Sequence, residues 1–115
     1  MDKVNVQILF TKNEFDKIKS LADAHCLPVS YYLKSLALPN SEFYISYAKL
    51  IEKVNMLNPG DKFNIRKLFA EEWTMSKGVK LSLGKIYNSY VHSGIIKNVK
   101  EVGKDSSNVM WYEKI

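Results

Sequence analysis

Lysines are concentrated in one part of the second half of this sequence. Between residues 73 and 104 there are six lysines and a single acidic residue, Glu101. Clustered positive charge attracts polyanions, and lysine is a common partner of nucleic-acid phosphates. A solvated lysine-rich surface would have the same composition. The chemistry that the cluster favours is phosphate binding, by Lys77, Lys80, Lys85, Lys97, Lys100 and Lys104.

Three polar residues recur at every second position near the N-terminus, namely Lys3, Asn5 and Gln7. Asn and Gln side chains can form two hydrogen bonds with adenine, and lysine donates to O6 and N7 of guanine. A solvent-facing strand could also carry these residue types for solubility alone. If they share one face of a strand, they are the residues that we expect to contact base edges.

The residue types that most often catalyse reactions do not form a catalytic pattern here. His25 falls on, or at the end of, an apolar helical stripe, where a packed or capping histidine is the simpler interpretation. Cys26 has no base near it in the sequence, and the side chains of Glu71 and Glu72 would diverge by about 100° on a helix. There is no phosphate-binding glycine loop and no metal-ligand spacing. We therefore expect no catalytic residues, no metal, no cofactor and no enzymatic activity.

Composition places the chain among small folded proteins. It has 115 residues, a formal net charge of +5 and 46% hydrophobic residues, which fits one domain or two very small ones. The lone Cys26 excludes an internal disulfide and suits a reducing compartment. No apolar run approaches the roughly 20 residues of a membrane-spanning helix, and the N-terminus lacks the features of a signal peptide. These observations predict a cytoplasmic protein without a membrane partner.

The first 40 residues predict one strand and two short helices. Apolar and polar residues alternate over residues 3–10, as in a half-buried strand. Thr11 and Glu14 form a T-x-x-E capping box for a helix over about 12–25. Ser30 is the predicted N-cap of a second helix, over about 31–38. The break at Pro39-Asn40-Ser41 divides the chain into units of residues 1–40 and 41–115.

A lone strand followed by two helices needs a partner, and a two-fold dimer supplies it by pairing the two strands. The segments VQILFTKNEFDKI, LADAH and LPVSYYLKSL resemble the ribbon-helix-helix family of DNA-binding repressors. The resemblance implies a homodimer whose ribbon enters the major groove, so that Lys3, Asn5 and Gln7 contact bases. It also implies that amides at the start of the second helix hold a phosphate, at Val29, Ser30 and Tyr31. The family usually has glycine between its helices, where this chain has Cys26-Leu27-Pro28.

The second unit predicts helices over 42–57, 66–73 and 79–92, a short extended piece at 63–65, and a hairpin of strands 95–102 and 109–113. That order resembles a winged helix, whose third helix enters the major groove and whose hairpin lies along the DNA backbone. The segments PGDKFNIRKLF and LGK are also similar to small domains of phages and plasmids. The winged-helix resemblance implies phosphate or groove contacts from the third helix and the wing, at Lys77, Lys80, Ser82, Lys85, Asn88, Ser89, Lys97, Lys100 and Lys104.

Together these features predict an α+β protein with an N-terminal ribbon-helix-helix dimerisation unit and a winged-helix domain. The expected function is sequence-specific binding of double-stranded DNA by a homodimer, as a transcriptional repressor of a plasmid, phage or mobile element. An accessory DNA-binding factor of a relaxosome or partition system would need the same features. A small protein-interaction module, such as a phage-encoded inhibitor of a host protein, is the alternative from another class.

Overall fold

A computed structural model describes residues 2–115, which form an α+β fold of five α-helices and a three-stranded antiparallel sheet. The α+β class predicted from the sequence is confirmed. The helices are α1 (Lys12–Ala24), α2 (Val29–Ala37), α3 (Glu42–Asn55), α4 (Ile65–Phe69) and α5 (Lys77–His92). The strands are β1 (Lys62–Phe63), β2 (Val99–Lys104) and β3 (Met110–Lys114), and a 3-10 turn at Ala70–Glu72 follows α4.

The start of α1 is fixed by the predicted capping box. The Glu14 amide donates to the Thr11 hydroxyl at 3.2 Å, and the Thr11 amide donates to the Glu14 carboxylate at 2.8 Å. Two amide groups that the helix itself leaves unpaired are satisfied in this way. The sequence therefore predicted both the position of this helix start and the contacts that make it.

The start of α2 differs from the prediction. The helix begins at Val29, with Pro28 as its N-cap, so Ser30 is its second residue and not its cap. Proline suits a helix start because its φ angle is already helical and it has no amide to leave unpaired. Just before it, Cys26 has a φ of +57°, which is the left-handed conformation that glycine most easily adopts. A residue other than glycine thus adopts the left-handed conformation in the turn between α1 and α2.

Residues 2–10 form no strand within the single chain. A strand needs a neighbour for its backbone hydrogen bonds, and residues 2–10 have none within the described residues 2–115. The apolar side chains of this segment are exposed, with 86% of Val4 and 77% of Val6 accessible. The predicted strand is thus absent from the isolated chain, and its pairing with a second copy stays a prediction.

The sheet has the order β1-β3-β2, with both pairs antiparallel. A bulge in β2 lies between Glu101 and Gly103, and Gly103 supplies a φ of +128° there, a conformation that side-chain-bearing residues rarely adopt. The first strand of the hairpin begins at Val99 and not at residue 95 as predicted, because Ile96 turns into the core before the strand starts.

One cluster of buried side chains connects the two halves of the described chain. Its largest fully buried members come from α3, α4, α5 and β3, and it also includes residues of α1, α2 and their connection: Ala22, Leu27 and Tyr32. Tyr47 on α3 donates its hydroxyl hydrogen bond to the Cys26 carbonyl, which fixes the α1–α2 connection against α3. At the other end of α3, the buried Lys114 ammonium donates to the Val54 carbonyl at 3.1 Å.

We expect Tyr47→Phe to destabilise the protein. The substitution keeps the buried ring and removes the hydroxyl, so the Cys26 carbonyl loses its partner in a part-buried setting. A lost hydrogen bond of this kind costs about 1–2 kcal/mol in the free energy of unfolding, measurable by urea denaturation. Tyr90→Phe is the matched control, since the Tyr90 hydroxyl has no hydrogen-bond partner among residues 2–115. Equal stability of the two variants would contradict this role of Tyr47.

Candidate nucleic-acid interface

A basic groove runs between the outer face of α5, the start of α4 and the β2–β3 hairpin. Its volume is about 520 Å³. Four of its lining residues are cationic, and no acidic residue of the described chain lines it. The cationic residues of this basic groove come from α4, α5 and β2, and they are Arg66, Lys80, Lys85 and Lys104. Three elements therefore direct positive charge towards one concave surface.

None of these four cations forms an ion pair with an acidic side chain within residues 2–115. Lys80 is half-buried, and its ammonium lies 5.3 Å from the centre of the Trp73 ring, which holds the charge over an aromatic face without neutralising it. Arg66, Lys85 and Lys104 are exposed. Unpaired cations on a concave surface can bind phosphates without first breaking an internal salt bridge.

The tip of the β2–β3 hairpin is shaped by Asp105. Its carboxylate accepts hydrogen bonds from the indole nitrogen of Trp111 at 2.8 Å and from the amides of Ser107 and Val109 at 2.8 and 3.1 Å. The ammonium of Lys67, on α4, lies 5.0 Å from the centre of the Trp111 ring. One carboxylate thus orders the turn and fixes a tryptophan that in turn contacts α4, so the hairpin is held against the helices.

The basic groove lies in a part of the chain that matches the model of a known protein family. The match covers residues 48–114. The chain belongs to the family described as "Domain of unknown function (DUF1413)". No curated protein and no solved structure matches the chain.

The DUF1413 match begins within α3 and ends at the last residue of β3. It contains all four cations of the basic groove, the Asp105 turn and the whole sheet, whereas α1 and α2 precede it. The match therefore lies inside the predicted second unit of residues 41–115. The family description assigns no activity to it.

The hydrogen bonds of Asp105 should make the stability of the fold depend on pH. The bond from Trp111, followed by that from the Val109 amide, holds the pKa of the Asp105 carboxyl below its ordinary value. A carboxyl whose pKa is lower in the folded protein stabilises the fold above its unfolded pKa, and that contribution is lost as the pH falls through the folded pKa. We expect Asp105→Asn to lower the melting temperature by a few degrees at pH 7. The difference from the wild type should shrink under acidic conditions.

Intrinsic fluorescence, to which Trp111 and Trp73 both contribute, can follow the melting of each variant. Asp61→Asn is the control, since Asp61 accepts the Asn58 amide in a different turn of the DUF1413 region. A melting-temperature difference for Asp105→Asn that is constant from neutral to acidic pH would contradict the assignment.

Of the predicted DNA-contacting residues of α5, Lys80, Lys85 and Asn88 line the groove, whereas Lys77, Ser82 and Ser89 do not. Lys77, Lys85 and Ser89 are exposed, and Ser82 is half-buried. Asn88 lines the groove but is also half-buried, and its amide donates to the Tyr112 hydroxyl at 3.0 Å. One of its donors is therefore used within the DUF1413 fold.

Two lysines predicted to act with the wing lie apart from the groove. Lys100 is 3.6 Å from the Glu113 carboxylate on the neighbouring strand, so its charge is partly balanced inside the hairpin. Lys97 precedes β2 and lines a different cavity, next to α1 and α3. Only Lys104 of the predicted wing lysines lines the basic groove.

The predicted contacts of the N-terminal unit lie outside the DUF1413 match. Lys3, Asn5 and Gln7 are exposed. Val29, Ser30 and Tyr31 are the first three residues of α2, and the first helical hydrogen bond is donated by the Tyr32 amide to the Pro28 carbonyl. The amides of the three predicted phosphate contacts are thus not used by the helix itself.

Arg66 is a groove residue that sequence reasoning missed. It is the second residue of α4, directly after Ile65, which is buried. Asn64 caps this helix by accepting the Lys67 amide at 2.8 Å, and this fixes the direction in which Arg66 leaves the backbone. The sequence did contain a signal for Arg66. It is a cation at the start of the second predicted helix of the winged-helix unit, and outward residues at that position face the hairpin.

Two further features are absent from the part of the chain that the structure describes. Among the described residues, no three or more His, Cys, Asp or Glu side chains are grouped so that they could hold a metal ion. In the same residues, 2–115, no helix has both the length and the apolar composition needed to cross a membrane.

Proposed function

We propose that this protein binds double-stranded DNA sequence-specifically as a homodimer and represses transcription of a plasmid, phage or other mobile element. The observation that carries the proposal is the basic groove, in which four cations without acidic partners line one concave surface. Each phosphate that such a cation neutralises releases counterions, so a few contacts of this kind supply much of the affinity of a DNA-binding protein.

The arrangement of elements around the groove supports a winged-helix interpretation. From α3 onwards the order is helix, strand, helix, helix, strand, strand, and the sheet order is β1-β3-β2. In such an arrangement α5 enters the major groove while the β2–β3 hairpin follows the backbone. Lys85 on the helix and Lys104 at the end of β2 would then contact phosphates on either side of the base edges that α5 faces.

The first 40 residues support a dimeric arrangement. Val4, Val6 and Ile8 are exposed at alternate positions, and exposed apolar residues also occur on α1 and α2, including Phe15 and Leu36. Burying these residues against a second copy removes apolar surface from water and gives residues 3–10 a strand partner. The proposal thus accounts for the exposure of Val4, Val6 and Ile8, whereas Leu9, which is 97% exposed, would point the same way as Gln7.

The same alternation supports the assignment of base contacts. If the apolar residues of the segment face the dimer core, Lys3, Asn5 and Gln7 face the opposite way. A ribbon in the major groove presents these side chains to base edges, where Asn and Gln favour adenine and Lys favours guanine. Specificity would come from the ribbon, and the groove cations would add affinity that is independent of sequence.

The proposal is tested by selecting bound sequences from a random duplex pool while measuring the mass of the protein by light scattering. We expect an enriched, roughly palindromic motif and a dimeric mass. Asn5→Ala combined with Gln7→Ala should keep the dimer and lose the sequence preference. A pool without enrichment, bound by a monomer, would overturn the proposal.

One observation favours a second candidate, a protein-docking module. Leu81 is 65% exposed at the wall of the basic groove, next to the half-buried Trp73 and Met110, and an apolar patch ringed by cations suits an acidic protein partner. Leu81→Ser separates the two hypotheses. Binding to random DNA should be nearly unchanged by this substitution, whereas docking of a protein on the patch should be lost.

A further inference from the structure

One side of α5 forms a wall of the basic groove, and a glycine lies at the centre of that side. The groove-lining residues of α5 are Lys80, Leu81, Gly84, Lys85 and Asn88. Intervals of three and four residues place these positions on the same side of a helix. The other side of α5 is buried in the core through Leu83 and Tyr87. Gly84 thus faces the groove and not the core.

A glycine at this position makes the helix less stable than it could be. Gly84 lies in the middle of α5, which has 16 residues. Inside a helix, glycine is less favourable than alanine because it loses more backbone freedom when the chain folds. The fold is therefore expected to gain stability if alanine can replace Gly84 without a clash.

Packing within the chain does not explain why position 84 lacks a side chain. Apart from chain neighbours and the nearby backbone of α5, no heavy atom of the described chain lies within 4 Å of the place that a β-carbon on Gly84 would take. The backbone of Gly84 is helical, so its conformation does not require glycine either. Glycine also serves where a backbone must come close to a bound ligand, and this reason is the one that the structure leaves.

The surroundings of Gly84 in the groove are those of a phosphate-bearing strand. Lys85 follows Gly84 on the same wall, and Lys104 lies on the hairpin wall. Leu81, one turn before Lys85, and Met110 of β3 add apolar surface to the groove. Cations beside apolar surface suit the alternating phosphates and sugars of a DNA strand. A strand that contacts cations on both walls has to pass close to the helix between them.

We propose that the DNA strand lying between α5 and the β2–β3 hairpin contacts the helix backbone at Gly84, at a distance that a β-carbon would prevent. Its phosphates contact Lys85 and Lys104, and a sugar packs against Gly84. This inference rests on the proposed DNA-binding function and adds to it a contact that involves no charge.

Gly84→Ala should change stability and DNA affinity in opposite directions. The melting temperature should rise by about 2–6 °C, because alanine is the better helix former and the position is open. The new methyl group would occupy the space of the sugar, and overpacking of this size should weaken binding to random duplex DNA about tenfold. Gly84→Leu, which adds a larger side chain, should weaken binding about a hundredfold.

Gly78→Ala is the matched control. Gly78 is the second residue of α5, it does not line the groove, and a β-carbon there would also have no such atom within 4 Å. The substitution likewise replaces a helical glycine of α5 by alanine, and it should leave the affinity for random duplex DNA unchanged. Melting curves and titrations of fluorescent DNA at about 50 mM salt measure both quantities for all four proteins.

A lower melting temperature of Gly84→Ala would overturn the inference, because the fold itself would then need the glycine. Wild-type affinity of Gly84→Ala and Gly84→Leu would also overturn it, as would an equal loss of affinity in Gly84→Ala and Gly78→Ala. In these three cases a wild-type protein that still binds duplex DNA would leave the proposed function standing. A wild-type protein that binds no duplex DNA would overturn both.

Discussion

Replacing Arg66, Lys85 and Lys104 together by alanine should lower the slope of log affinity against log salt concentration by about 2.7 on random duplex DNA, since each phosphate contact contributes about 0.9. The three residues come from α4, α5 and β2, they line one groove, and none is paired with an acid within residues 2–115. No internal salt bridge has to break before they meet phosphates. The full contribution of the three cations to DNA affinity should therefore appear in its salt dependence.

The measurement is a series of titrations of fluorescent DNA between about 50 and 200 mM salt, the range in which phosphate contacts have their largest effect. Triple substitution of Lys17, Lys34 and Lys62 by alanine is the matched control, because it also removes three exposed cations that form no ion pair within residues 2–115 and leaves the groove intact. If both triple variants lowered the slope equally, the affinity would follow net charge alone and the groove would have no special role. If the affinity of the wild-type protein for DNA did not depend on salt concentration, the binding would not involve phosphate contacts.

The helices and the hairpin were predictable because their signals are local. The Thr11–Glu14 capping box fixed the start of α1, and apolar spacing of 3.6 residues located α3 and α5 to within two residues of their observed ends. The bounds of shorter elements were less predictable. The helix expected over residues 66–73 ends at Phe69 because Ala70 takes a φ of +52°, and no residue type in that segment signals a left-handed position.

The candidate site was predictable only in part, because counting charges along the chain does not say which surface they share. Lys85 and Lys104 meet in the groove, whereas Lys97 lies at another cavity and Lys100 faces Glu113 across the hairpin. Arg66 lies outside the lysine cluster and reaches the groove through the fold. Such convergence depends on the register of β2 and β3 and on the path of α4, which the spacing of residues does not determine.

Whether residues 3–10 form a strand is the question with the largest consequence for the N-terminal unit. Val6→Asp combined with Ile8→Asp should convert the dimer to a monomer. In the proposed ribbon these two side chains face the dimer core, and burying unpaired carboxylates there costs several kcal/mol per chain, which raises the dimer Kd at least about a thousandfold. In the single chain both residues are exposed, so the substitution should leave the fold of the monomer intact.

The matched control uses the same substitution on the opposite face of the ribbon. Asn5→Asp combined with Gln7→Asp adds the same charge to the same segment, but these side chains point away from the proposed dimer core. That variant should remain a dimer by sedimentation and lose DNA binding, because its new carboxylates face base edges and phosphates. The two variants should differ because successive side chains of a strand point to opposite faces, so that residues 6 and 8 face the dimer core and residues 5 and 7 face the DNA. If both variants had the same mass as the wild type, residues 3–10 would not pair across a dimer axis, and their exposed apolar side chains would need another partner.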